Sequence, residues 1–191
     1  MREITKVLNA MFLSFGLVSL AGCAQTVEWE EDVKLLDGRV VTVTQKKWCG
    51  GGDYNAKVMA SCLARDAVVT MRFAEFSDED IIWHERLNPM VINIYEGKLY
   101  IVGVPHTTVE FRYYGAVNPP YYGFVWGRGK WERIPFHSIP IAIYNRNILI
   151  GSIPLTRTDH VSLEQKQRQS IGGGFIAPQF RIDPEYRRQP H

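Results

Sequence analysis

Three places in this chain set a glycine and a polar residue between runs of β-branched and aromatic residues: Asp37-Gly38, Glu96-Gly97 and Gly127-Arg128-Gly129. Such steps supply the positive-φ positions of tight hairpins, and each predicts two antiparallel strands joined locally. Before the first, Val27, Trp29, Val33 and Leu35 alternate with Glu28, Glu30, Asp32 and Lys34, the period of a strand with one buried face. Glu31 breaks that apolar face. Asp37-Gly38 is read as the two positive-φ positions of a type I′ turn, and "RVVTVTQ" as the returning strand. "AVVTMRFAEF" predicts a further strand, with Val69, Met71 and Phe73 opposite Val68, Thr70 and Arg72. "MVINIYEGKLYIVGV" and "YYGFVWGRGKWERIPF" predict two more hairpins, and "TTVEFRYYG" one more strand. "IAIYNRNILIG" is a short apolar piece turning near Asn145 to Asn147, and Pro135, Pro140 and Pro154 belong at edges or strand ends. Helices are predicted only at "AKVMASCLA", capped by Asn55, and at "SLEQKQRQSI", where Ser162 and Gln165 fit a capping box and Gly172 a stop. Short strands every ~8–12 residues without long helices between them predict a mainly β domain, an antiparallel sandwich or barrel-like fold with one or two short helices.

The chain opens differently. Arg2 and Lys6 precede an almost wholly apolar stretch from Val7 to Leu20, which ends in Leu20-Ala21-Gly22-Cys23. A basic start, a short apolar core and small residues at a cut site are the parts of an export signal, and the stretch is shorter than the ~20 residues a spanning helix needs. Leu20-Ala21-Gly22-Cys23 resembles the lipobox of bacterial lipoproteins. That resemblance implies cleavage before Cys23 and acylation of its thiol and new amino group. Two or more acyl chains give firm anchoring without a spanning helix. Ala24 follows the cysteine where an Asp would signal inner-membrane retention, so the resemblance implies an outer-membrane anchor facing the periplasm. The expected organisation is a signal at 1–22, an acylated tether at 23–26, one mainly β domain at 27–171 and a proline-spaced basic tail at 172–191 that docks, if it docks, through Phe180 and Ile182. The stretch from "WHERLNPM" to "KWERIPF" resembles small uncharacterised bacterial lipoproteins, a likeness that transfers no catalytic or binding residue.

Removing residues 1–22 takes Arg2, Lys6 and Glu3 from 22 basic and 20 acidic residues, leaving 20 against 19 and a net charge of +1. That balance gives no electrostatic case for nucleic acid. With Cys23 assigned to lipid, Cys49 and Cys62 remain, and an even pair in an exported chain reads as a disulfide worth about 3 kcal/mol in the chain-entropy model. Two free buried thiols are the other reading. A metal site needs more ligands than this pair, and a catalytic cysteine needs a partnered histidine.

The five histidines, His84, His106, His137, His160 and His191, share no local metal-ligand spacing. Ser138, Asp159 and His160 supply the residue types of a hydrolase triad, but no Gly-x-Ser-x-Gly elbow accompanies them. Glu75, Glu79, Asp80, Glu85 and Glu110 are carboxylates of the kind a glycosidase pairs across a cleft, without a pattern that selects two of them. The glycine triplets at 50–52 and 172–174 lack the Lys-Ser/Thr of a phosphate loop. No cofactor or metal is therefore expected. Aromatic density is the remaining signal: Tyr113, Tyr114, Tyr121, Tyr122, Phe124, Trp126 and Trp131 lie close together, and in a strand Tyr122, Phe124 and Trp126 share one face. Tyr113, Tyr114, Tyr122, Phe124, Trp126 and Trp131 form the candidate binding surface, for a protein or a glycan. The same spacing also suits a packed core face or cross-strand aromatic pairs. The expected function is a lipid-anchored, non-enzymatic binding or scaffolding module. The alternatives are a small envelope hydrolase acting on peptidoglycan or another glycan, and a lipoprotein that blocks a toxin or a phage.

Overall fold

In a computed structural model, the residues described are 25–49, 64–149, 159–171 and 181–189. They form two packed β-sheets and two short helices, and neither sheet closes into a barrel. The first sheet holds β1 (Gln25–Lys34), β2 (Val40–Cys49), β3 (Ala64–Met71), β4 (Ile81–Glu85) and, after the second sheet in the chain, β9 (His160–Val161). Its order is β4-β3-β2-β1-β9, antiparallel throughout except for β9, which runs parallel to β1. The second sheet is the meander β5 (Asn88–Tyr95), β6 (Lys98–Val104), β7 (Tyr122–Gly127) and β8 (Lys130–Ile134).

The alternation predicted for β1 holds: Trp29, Val33 and Leu35 are buried, and Glu28, Glu30 and Lys34 are exposed. Glu31 is on the buried face too. In β3, Val69, Met71 and Phe73 point inward as expected. These residues meet Ile92, Leu99, Ile101, Tyr122 and Phe124 of the second sheet in one core. The opposite face of the second sheet is covered by a second core, in which Val91, Tyr100 and Val102 pack on Ile139, Ile143 and Ile182. Burial on both faces explains why β5 and β6 are apolar runs rather than alternating ones. The two 3₁₀ turns, Phe136–Ser138 and Ile141–Ile143, belong to this covering layer. The tail docks through Ile182, whose N–H donates to the Tyr144 carbonyl at 2.9 Å; Phe180 lies outside the described residues.

All three hairpins form. Glu96 and Gly97, and Arg128 and Gly129, take positive φ as two-residue type I′ turns. At the first hairpin only Gly38 does so, at φ +90, and Leu35 N–H donates to the Arg39 carbonyl across a three-residue loop. The type I′ expectation is thus corrected to a type I turn closed by a glycine bulge.

"TTVEFRYYG" is a helix, α1 (Thr108–Tyr113), not a strand. Its β-branched and aromatic residues favour a strand, but its ends are capped at both sides. The Thr107 hydroxyl accepts from Val109 N–H, and the Glu110 carboxylate turns back to that hydroxyl. At the other end Gly115, at φ +92, donates to Arg112, and Ala116 donates to Phe111, a Schellman closure. The second helix, α2 (Leu163–Ile171), carries the predicted reciprocal box: Ser162 N–H donates to Gln165 Oε1 at 2.7 Å, and Gln165 N–H to Ser162 Oγ at 3.2 Å. The helix predicted after Asn55 and the stop at Gly172 lie outside the described residues.

The domain has two distinct ends. The tight turns at 35–39, 96–97 and 128–129 lie at one, where Arg39 also bridges to Glu75 at 2.7 Å. At the other lie the first residue of β1, the last of β2 and β4, the first of β3 and β5, and α1.

Candidate functional site

A cleft of about 620 Å³ opens at the α1 end, lined by Val117, Asn118, Pro119, Tyr121, Tyr122, Arg133, Ile134, Pro135, Phe136 and His137. Its size suits a small organic group or a short peptide segment. One wall is the approach to β7. Asn118 fixes it by accepting Arg188 N–H on Oδ1 at 2.8 Å and donating from Nδ2 to the Arg188 carbonyl at 3.2 Å. Tyr121 then packs its ring on Phe136 at 6.1 Å and accepts Asp183 N–H on its hydroxyl at 3.3 Å. The other wall is where β8 ends at Pro135, which lacks an N–H to continue a ladder and starts the 3₁₀ turn carrying Phe136 and His137.

Arg133 supplies the cation. Its guanidinium sits over Tyr122 at 4.7 Å and over Tyr114 at 5.5 Å, and donates to the Tyr114 carbonyl at 3.4 Å. Burial raises the pKa values of Tyr121 and Tyr122, so both phenols stay protonated through the physiological range. An apolar aromatic floor under one arginine suits a planar or aliphatic group with a polar or anionic end. Among the described residues no carboxylate, serine or cysteine lines the cleft.

The predicted aromatic surface is largely core. Tyr114, Tyr122 and Phe124 are buried, with Phe124 edge-on to Trp83 at 5.8 Å and Tyr114 tilted on Tyr122 at 4.9 Å. The face shared by Tyr122, Phe124 and Trp126 is real, but it is the face that packs on the first sheet. Trp126 and Trp131 are half-buried in an edge-on cross-strand pair at 5.3 Å, with Trp131 Nε1 donating to the Ile82 carbonyl at 3.0 Å. Of the six candidates only Tyr113 is largely exposed, and only Tyr122 lines the cleft. Cys23 and Cys62 lie outside the described residues. Cys49 ends β2.

The described histidines lie at four separate places. His84 tilts on Trp48 at 6.0 Å, His106 meets Asn88 at 2.8 Å, and His137 lines the cleft. Burial holds the His106 imidazole below its ordinary pKa. His160 sits on β9 against Asp32 at 3.2 Å and Glu30 at 3.6 Å, whereas Ser138 is in the 3₁₀ turn beside β7. Glu85 accepts the Tyr114 hydroxyl, and Glu110 is turned onto Thr107. Among the described residues no three His, Cys, Asp or Glu side chains converge to hold a metal ion.

A second polar centre lies inside the first sheet's inner face. The Glu31 carboxylate, fully buried, pairs with the Lys166 ammonium of α2, accepts from Gln45 Nε2 and accepts Leu149 N–H at 3.1 Å. Burial lowers the Lys166 pKa, and Glu31 partly restores it. Further along that face Lys47 is buried, its Nζ over the Trp29 ring at 5.2 Å and, among the described residues, without a hydrogen-bond acceptor. Desolvation lowers its pKa to about 8, against an opposing pull from Glu31. The alternation flagged Glu31 as an interruption; nothing local in the sequence pointed to Lys166 as its partner.

Comparison with known protein families, with curated proteins and with solved structures finds no match.

Proposed function

We propose that this chain is a lipid-anchored cell-envelope protein whose domain acts as a non-enzymatic binding or scaffolding module, tethered through an acylated Cys23 and facing the periplasm from the outer membrane. The lipobox-like Leu20-Ala21-Gly22-Cys23 after a short apolar run supports the anchor. The observation that carries the binding reading is the composition of the cleft between residues 117–122 and 133–137. Among the described residues it offers aromatic area, one arginine and one histidine, a set suited to holding a ring or an anionic group. The partner is an envelope protein or glycan bearing an apolar or ring-shaped group beside a polar or anionic one. Tethering raises the local concentration of that cleft at the membrane surface.

Two measurements test this reading. Cys23→Ser should abolish acylation and release the chain from sites that require it; wild-type levels of lipid on that variant defeat the anchor. Tagged wild-type protein and a Phe136→Ser variant are then compared for capture from crosslinked envelopes and for co-sedimentation with purified peptidoglycan. Loss of one of these on substitution locates binding in the cleft. Equal recovery by both proteins removes the cleft from the function.

A further inference from the structure

The anchor and the fold together restrict how the domain stands on the membrane. Resting on the lipid-anchor reading, we infer that the α1 end lies against the bilayer and binds anionic lipid headgroups through Arg86, Arg112, Val109 and Tyr113. Only Ala24 separates Cys23 from Gln25, the first residue of β1, so the two lie two residue steps apart. Two residues span at most ~7 Å. The start of β1 must therefore stand at the headgroup layer. The register carries that level across the sheet: Thr26 pairs with Trp48, Trp48 with Asp66, and Ala67 with Glu85, so Arg86 lies one step from the anchor level. The Tyr114 hydroxyl accepts Arg86 N–H at 3.1 Å, which fixes the end of α1 at the same level.

What α1 presents there suits a membrane surface. Val109 and Tyr113, four residues apart on one helical face, are 68% and 65% exposed. Arg86 lies over the Tyr113 ring at 4.8 Å, and Arg112 is exposed between the two apolar residues. Glu110, the single acid of α1, is buried and turned onto Thr107, so it adds no negative charge to the outward face of the helix. Exposed apolar and aromatic side chains flanked by arginines insert at the interface while the guanidinium groups meet phosphate. The tight turns at the opposite end stand about 30 Å away, the length of β1. Leu36, 51% exposed in one of them, serves as the distant reference.

The test reconstitutes the full acylated chain into vesicles of phosphatidylcholine with phosphatidylglycerol carrying a photoactivatable group near the headgroup, and maps lipid adducts by peptide mass spectrometry. Vesicles in which phosphatidylcholine alone carries the group run beside them. Adducts on peptides containing Arg86 and residues 108–113, with none on the Leu36 turn, are expected in the anionic vesicles. Arg86→Glu and Arg112→Glu should each lower that yield about fivefold without changing the acylated Cys23 peptide. Adducts confined to the Cys23 peptide, adducts at Leu36, or equal yields from both lipids overturn the inference and leave the anchor standing. An unmodified Cys23 in the same spectra overturns the anchor reading and the inference with it.

Discussion

Lys47 is a costly residue to bury. A buried ammonium without an acceptor is tolerated only because the Trp29 ring, at 5.2 Å, and the Glu31 charge partly replace water. Among the described residues the Glu31–Lys166 pair and Arg146 also act on that region, and burial holds the His106 imidazole below its ordinary pKa. With a native pKa of about 8 against an ordinary 10.5, the unfolded chain holds more protons between those values, so stability rises with pH across that window. Below pH 8 the cost is constant at about 3 kcal/mol. Lys47→Met should be more stable than wild type by about that amount at pH 7, and urea midpoints should converge as pH approaches 10.5. Parallel profiles would mean that the ammonium is hydrated. Glu31→Ala should act in the opposite sense, by about 3–5 kcal/mol, because it strands the buried Lys166 charge. Adding Lys166→Met to it should recover part of that loss in the same urea series. These two residues show where sequence reading stops. Glu31 was legible as an anomaly on an apolar face, but Lys166 sits in a helix that reads as polar surface, and no periodicity links positions so far apart.

At the level of elements, local chemistry decided most of what was readable. Turns at Glu96-Gly97 and Arg128-Gly129 were legible because few residues accept two successive positive-φ positions. α1 was missed although Thr107, Glu110 and Gly115 carried its caps, because strand propensity in Val109, Phe111, Tyr113 and Tyr114 was weighed above them. β4 carried no turn signal of its own. The cleft was illegible for a different reason: it needs residues 117–122 beside 133–137, a meeting set by the β7–β8 register and the 3₁₀ turn rather than by any motif. Close packing gives the elements a sharp test. A methyl group at Gly103 would lie 2.7 Å from Leu87 Cβ and 3.2 Å from Trp83 Cζ2, so Gly103→Ala should cost about 1–3 kcal/mol in thermal or urea unfolding. Gly129→Ala meets no atom, yet at φ +75 it should still cost about 1–2 kcal/mol. If Gly103→Ala is silent, the contact between the sheets at β6 is looser than these distances. Ser162→Ala should remove about 1 kcal/mol by deleting one half of the α2 capping box.

For the whole molecule, β1 is the strand on which everything else closes. It pairs with β2 within its own hairpin, yet its free edge is taken by β9, and its buried carboxylate is taken by α2 and by Leu149 N–H. The first strand of the domain is therefore finished by the last helix. A chain emerging from an export channel N-terminus first would present β1 early, with Glu31 aimed at a core it cannot enter as an unpaired charge. Such a chain holds a half-built sheet until residues beyond 160 have crossed. On the export route proposed above, folding is timed by translocation rather than by the hairpins, which form within microseconds. A chain stopped at residue 158 should lack a cooperative unfolding transition by circular dichroism. It would be readily cut by proteases, and a two-state melt from it would show that the β1–β4 sheet is self-sufficient.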